Sequence, residues 1–502
     1  MRDLRPYVII HPTDQSQQCC DESATHSSAS IGESHLRLVI CGQWFRAQMK
    51  EHGWYELVSI VNELLSVSNV EMCDVSVVED TDASVERWSL GNIPVEIFLH
   101  ICSYLDARFI AHSLSLVCKR FYEILSDRTL WRLRITKRWG SKYPPVPVNA
   151  DDFNWRLACV CIEDQHEFWK RKDVKMEAIL RKDIHYAAVD GVHLMNSGML
   201  CVSGSRDRSI VMWDLSDVLN GGTEVPYHVS LNAHKGWVWK LASCGETMYS
   251  CSFDATLKSW HFTPSLQSQS VFQCEAAALS VACANNLLAA GTYARSVMLF
   301  DTRAGLLHVN SYRTHQNAVI ALSMSGDLIV SASEDRTVAV WDQRAGKVLK
   351  KIKLYENKSD DNAFPMSLSF SENLLYVGDS KGKLHLLNPA HGWFDIVESC
   401  EVGHTAKLTC VKHGMGSILT SSTDGTVRVS TPTQKPEAIA VIMSQAGEVT
   451  GAQYGEWNVF LVINPDCELY VLGLMQTLVL LKCLTGCVWY SSGEKSFLIQ
   501  EM

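Results

Sequence analysis

Ser331-Ala332-Ser333-Glu334-Asp335-Arg336-Thr337-Val338-Ala339-Val340-Trp341 is the stretch on which the reading of this chain turns. Its pattern, Ser-x-Ser-x-Asp-x-(Ser/Thr)-(apolar)-x-x-Trp, recurs from Ser203 to Trp213 and from Ser250 to Trp260. His234 and His315 stand 20 residues ahead of Asp254 and Asp335. His404 keeps that distance to Asp424, although Ser430 takes the tryptophan position, and His185 precedes Asp207 by 22. Looser copies keep the six-residue step at Ala294/Phe300, Lys381/Leu387 and Asp466/Leu472. The anchors 207, 254, 294, 335, 381, 424 and 466 lie 40 to 47 residues apart, which is the length of a four-stranded propeller blade. One such unit cannot bury its own apolar face, so the copies must stack on one another. Short apolar runs such as Leu328-Ile329-Val330 and Val338-Ala339-Val340, cut by turns, predict a mainly β chain closed as seven blades over 183–473.

Residues 88–135 follow another rule. Pro94 suits the first turn of a helix, where its missing N–H costs nothing. Ile97, Ile101 and Leu105 then fall at four-residue steps with Phe98 beside them, giving one apolar helical face. Leu114, Val117, Phe121, Ile124 and Leu125 form a second stripe, and Ser126 or Asp127 is placed to cap a last helix carrying Leu130, Trp131 and Ile135. A helical unit this small buries little surface alone and is marginal unless it docks on something.

Two resemblances attach to these residues. The repeats resemble WD-repeat propellers. The resemblance implies buried hydrogen-bonded sets: His185/Ser203/Asp207/Trp213, His234/Ser250/Asp254/Trp260, His315/Ser331/Asp335/Trp341, and His404/Thr420/Asp424 without an indole. The run from Trp88 through Ile93-Pro94-Val95-Glu96-Ile97 and Tyr104-Leu105-Asp106 to Leu130-Trp131 resembles the F-box, a small α-helical domain. That resemblance implies binding to a Skp-family adaptor, and through it to a cullin–RING ligase. The contacts would come from Leu90, Ile93, Pro94, Ile97, Ile101, Leu105, Leu114, Val117 and Cys118. Box first and propeller second is the order of the F-box/WD-repeat substrate receptors. The function implied is recruitment of a target protein for ubiquitination, with a non-proteolytic scaffold as the alternative, in the cytoplasm or nucleus.

Each repeat contains Ser, His and Asp, but several near-copies in one chain fit mutual satisfaction of buried polar groups better than catalysis. An enzyme is not expected, nor a cofactor. Cys159-x-Cys161 and Cys483-x-x-x-Cys487 lack a second pair at zinc spacing, so no metal is expected. The formal charge of −10 argues against a general nucleic-acid binder. Eighteen cysteines scattered through a chain of 502 residues without a signal peptide fit free thiols in a reducing compartment. The apolar run Leu469–Leu481 is too short to span a bilayer.

In a propeller, the residue ahead of each turn aspartate and the start of each inner strand share one face. The candidate target-binding residues are therefore Arg206, Phe253, Tyr293 and Glu334, with Trp237, Trp239, Ile320 and Lys407. Trp237 and Trp239 flank Val238 and should point to the side opposite it. They either form a docking surface or fill gaps between blades. Arg206 and Arg295 are candidates for reading phosphate, whereas Arg208 and Arg336 hold a turn position where basic residues are common. Residues 1–87 have no assigned role; 12–34 are Gln/Ser/Asp-rich and expected to be disordered, and Trp54–Leu65 has weak helical periodicity. Residues 136–182 read as a linker, with Lys175–Leu180 expected to close the last blade and Val479–Cys483 as the alternative. The tail 474–502 fits no repeat.

Overall fold

The computed structural model describes residues 94–140, 142–148, 153–170 and 184–443, apart from 217–225, 264, 356–361 and 372. It also describes 448–449, 451–454, 460–463, 469–472, 481–482 and 487–488. The expectations for 1–87, Leu90, Ile93, Lys175–Leu180 and Asp466 fall outside the described residues. The chain divides into two compact units, Met1–Arg134 and Ile135–Met502.

In the first unit, helix α1 (Val95–Tyr104) starts at Pro94, whose carbonyl accepts the Phe98 N–H at 3.0 Å. Phe98, Ile101, Cys102 and Leu105 form its buried stripe, and Phe98 stacks on Phe121 with ring centroids 4.3 Å apart. Asp106 caps α2 (Ala107–His112) by accepting the Phe109 N–H at 2.6 Å. Leu114–Leu116 form one 3₁₀ turn, and α3 (Lys119–Leu125) follows. Of the two candidate caps for the last helix, α4 (Arg128–Arg138), Asp127 accepts the Thr129 N–H at 2.8 Å. The buried Trp131 indole donates to the Leu125 carbonyl, and the Arg134 guanidinium closes the end of α1 by donating to the carbonyls of Cys102 and Leu105.

The second unit contains six four-stranded antiparallel blades, each running in chain order from inner to outer strand. The expectation of seven full blades is corrected. Among the described residues six are complete, and a three-stranded sheet (Gly451–Tyr454, Phe460–Ile463, Leu469–Leu472) has its inner strand beside those of blades 6 and 1. Leu481–Lys482, within the alternative closing strand, pairs instead with Cys487–Val488.

Blade 4 shows why the sequence makes this architecture. Its second and third strands, Leu328–Ser333 and Thr337–Asp342, are buried almost throughout, whereas the outer strand Lys347–Lys353 is mostly exposed. A strand covered on both faces needs a continuous apolar run, and the outermost needs lysines to deter edge pairing. The core is accordingly a set of clusters between neighbouring blades; one joins Tyr249, Cys251 and Leu257 of blade 2 to Leu288, Met298 and Phe300 of blade 3.

Within the expected linker, the described residues 142–148 and 153–170 pack on the blades. Asn154 caps helix α5 (Trp155–Lys170) by accepting the Leu157 N–H at 3.0 Å. The helix packs against the outer strand of blade 6 (Ala438–Met443), and Trp169 joins the cluster of Leu419, Val427 and Val429. Ahead of it, Val146 is buried in the cluster between blades 5 and 6. Glu163 on α5 is 2 % exposed and pairs with Arg138 at 2.7 Å.

Candidate docking surfaces

The anchor positions carry the same turn in all six blades. Residues 208, 255, 295, 336, 382 and 425 all have positive φ, and each N–H reaches the carbonyl three residues back, as Arg336 does to Ser333 at 3.1 Å. Glycine meets that demand without strain at two of them; the other four hold alanine or arginine. Arg295 therefore belongs with Arg208 and Arg336 as a turn residue, and its separation from them on the sequence is corrected.

Two of the sets are linked from indole to carboxylate, and two more from hydroxyl to carboxylate. Trp213 Nε1 donates to Ser203 Oγ at 2.9 Å, Ser203 Oγ lies 2.8 Å from His185 Nε2, and His185 Nδ1 lies 3.1 Å from Asp207. The second set repeats this with Trp260, Ser250, His234 and Asp254 at 2.8, 2.7 and 3.2 Å. His315 joins Ser331 at 2.9 Å and Asp335 at 3.3 Å, while Trp341 lies face to face with Tyr312, centroids 3.9 Å apart. His404 joins Thr420 at 2.9 Å and Asp424 at 3.0 Å.

Burial alone would raise the Asp254 carboxyl, but hydrogen bonds from His234, Thr256 and the Lys235 N–H hold it well below the usual range. Burial lowers the His234 imidazole, only partly offset by Asp254. A neutral imidazole with its proton on Nδ1 then orders the chain: indole to hydroxyl, hydroxyl to Nε2, Nδ1–H to carboxylate. Ser203 and Ser250 are fully buried, so this geometry holds the blade together and offers no nucleophile to a substrate.

Sequence reasoning missed two features. Ser209, Thr256, Thr337 and Thr426 are a further member of each set, within 3.1 Å of the histidine Nδ1; the Ser/Thr of the motif was their signal. In blade 5, Asp379 and His385 replace the set, 3.4 Å apart and both buried.

On the face above these sets, the residue ahead of each anchor donates its N–H to the start of the inner strand: Arg206 to Ala188, Phe253 to Trp237, Tyr293 to Ala277, Glu334 to Ala318, Ser380 to Phe364 and Thr423 to Lys407. Each inner strand then bulges two residues further on, at Asp190, Trp239, Leu279, Ile320, Met366 and Thr409, which re-aims those side chains. Trp237, Phe253 and Tyr293 are 43, 53 and 61 % exposed, and Tyr186 in the loop of blade 1 is 81 % exposed. Glu334, Arg295 and Lys407 are exposed and Ile320 is half-buried.

Val238 is fully buried, and Trp237 and Trp239 face away from it with rings nearly parallel, centroids 6.3 Å apart. Of the two alternatives, filling a gap between blades describes Trp239 and not Trp237. Trp237 lies at the surface against Phe253, whereas Trp239 packs on the cluster between blades 2 and 3. Arg206 lies over both rings, 5.0 and 5.9 Å from the centroids, and its guanidinium forms a two-point bond with Asp190 at 2.7 and 3.0 Å. Its charge is already matched, which removes the basis for assigning it to phosphate.

On the helical unit, Ile101, Leu105 and Leu114 are buried and serve as its core, so their side chains are not available as adaptor contacts in this arrangement. Pro94 is exposed, and Ile97, Val117 and Cys118 are half-buried. Leu116, 72 % exposed, and Tyr122 border an open groove of about 390 Å³ together with Val117, Cys118 and Lys119. Neither was singled out from the sequence.

A family model described as F-box-like matches residues 90–135, and the WD domain, G-beta repeat matches 180–214 and 226–261. The TEP-1 C-terminal beta-propeller model matches 315–389. F-box/WD repeat-containing protein 9 of Bos taurus is 37 % identical over 358 residues, covering 70 % of this chain and 75 % of that protein. The protein of the same name in Homo sapiens is 34 % identical over 361 residues, with 71 and 77 % covered. The WD40 beta propeller domain of Doa1 superposes with a TM-score of 0.50 at 16 % identity, covering 58 % of this chain and 94 % of that one, a likeness of fold. With a helical box ahead of stacked WD repeats and relatives matched across both, the chain belongs to the F-box/WD repeat-containing protein family.

Proposed function

We propose that this chain is the substrate-binding subunit of a Skp–cullin–F-box type ubiquitin ligase, working in the cytoplasm or nucleus. The helical box, over 88–135, binds a Skp-family adaptor, and the propeller holds the target. The chain itself catalyses no bond change; it raises the local concentration of target lysines at the ligase. The observation that carries this reading is the exposed apolar edge of Leu116 and Tyr122 on a unit matching the F-box-like model. We propose also that the propeller extends over 183–473. The position of Gly451–Tyr454 beside the inner strands of blades 6 and 1 supports this.

The test is co-expression with a Skp-family adaptor and recovery of the complex. Wild type should retain the adaptor, and Leu116→Asp with Tyr122→Asp should lose at least tenfold while circular dichroism of the propeller stays unchanged. Wild type that retains no adaptor overturns the reading in favour of a scaffold.

A further inference from the structure

Aromatic side chains are unevenly distributed round the propeller face. Ahead of the anchors, blades 2 and 3 carry the exposed Phe253 and Tyr293, whereas blades 4 to 6 carry Glu334, Ser380 and Thr423; Tyr186 and Trp237 are exposed in the loops of blades 1 and 2, and the place of Trp237 is held by Ala318, the half-buried Phe364 and Lys407 in blades 4 to 6. Nothing in the sets below needs this asymmetry, since blade 4 builds its set with Glu334 at the position Phe253 holds in blade 2. Exposed tryptophan and tyrosine of this kind are enriched where partners bind.

Charged groups lie among these aromatics. Arg206 is neutralised by Asp190, which fixes Arg206 as a stiffener over Trp237 and Trp239. Lys235, Arg208 and Arg295 are exposed beside it, on the same turns and loops that present the aromatics. The turns and loops of blades 1 to 3 thus carry three exposed cations, with Glu448 acting on Arg206 and Glu275 paired with Arg313 nearby, in a chain whose net charge is −10.

Resting on the substrate-receptor reading, we infer that the face of blades 1 to 3 binds an extended, unphosphorylated segment of the target in which a bulky apolar side chain is flanked by carboxylates. The apolar side chain sits against Trp237 and Phe253, and the carboxylates meet Lys235, Arg208 and Arg295. A phosphate at the centre of the segment would meet Arg206, whose guanidinium fork over the Trp237 and Trp239 rings is already filled by Asp190.

The probes are two immobilised random nonapeptide libraries, one unphosphorylated and one with a fixed central phosphoserine, each panned against the full chain bound to its adaptor. The unphosphorylated library should yield peptides with Trp, Phe or Leu beside Asp or Glu. Trp237→Ala and Phe253→Ala should each weaken a selected peptide at least tenfold, and Lys235→Glu with Arg295→Glu severalfold, with less salt dependence than wild type. Selection from the phosphorylated library alone, selection of peptides without this pattern, or no selection from either overturns the inference. So does unchanged affinity in both aromatic variants. Adaptor retention in the same preparation reports separately on the ligase reading: adaptor bound with no peptide selected defeats only the inference, and peptide selected with no adaptor bound defeats only that reading.

Discussion

At the scale of single residues, the polar sets are where the structure is most exposed to substitution. Asp254 accepts from His234, Lys235 and Thr256, so Asp254→Ala leaves buried donors without partners. At about 1–3 kcal/mol for each unsatisfied group, urea unfolding should show a loss of roughly 2–5 kcal/mol. A loss below about 1 kcal/mol would mean that the set contributes little. Protonation acts on histidines too. His193, bonded to Ser243 at 2.7 Å, and His413, bonded to Ser369 at 2.8 Å, are both lowered to about 4, mainly by burial, with Lys412 adding to it.

A folded-state value below that of the unfolded chain means the unfolded state takes up the proton first. Stability is then full above about pH 6.5 and lost as pH falls toward 4. Both residues are half-buried over their whole surface, and the contribution is on the order of 1–2 kcal/mol per histidine. Denaturation at pH 7.5, 6 and 5 should show a steady fall, made shallower by His413→Gln; a flat profile over that range would contradict it. These sets were legible in the sequence because their spacing is fixed by the turn and ladder that hold them. The Asp379–His385 pair was not, because its aspartate stands two residues ahead of the anchor, where the ruler does not look.

Among the elements, α5 departs furthest from expectation. Its apolar positions Trp155, Ala158, Cys159 and Ile162 have helical spacing, but a helix that packs on a distant sheet carries no local sign of its partner. Gly416 marks the contact. A Cβ there would lie 2.4 Å from the Cys161 carbonyl oxygen and 2.6 Å from Gln165 Cγ. Gly416→Ala should therefore push α5 away at a cost of about 1–3 kcal/mol. Hydrogen exchange should speed up over Trp155–Lys170; protection equal to wild type would show that the loop yields instead. The blades were readable one by one, since each repeats the same turn. The bulge that pairs Asp190 with Arg206 was not, because a one-residue shift in register leaves no mark in composition.

For the whole molecule, the propeller should depend on the segment that precedes its repeats. Val146 and Trp169 both sit in clusters between blade elements, so a fragment of 135–502 should melt several degrees above one of 184–502. Equal midpoints would mean that the segment adds nothing to the ring. The number of repeats could be counted on the sequence, but the count exceeded the complete blades among the described residues, because a degenerate copy keeps its spacing after losing its signature aspartate or tryptophan.

The first inner strand, Val189–Met195, lies beside Gly451–Tyr454, a neighbour about 255 residues further along the chain. At a synthesis speed of about 5–20 residues per second, roughly 13 to 50 s pass before that neighbour exists. Throughout that interval the opening strand of blade 1 waits on the ribosome with one flank uncovered.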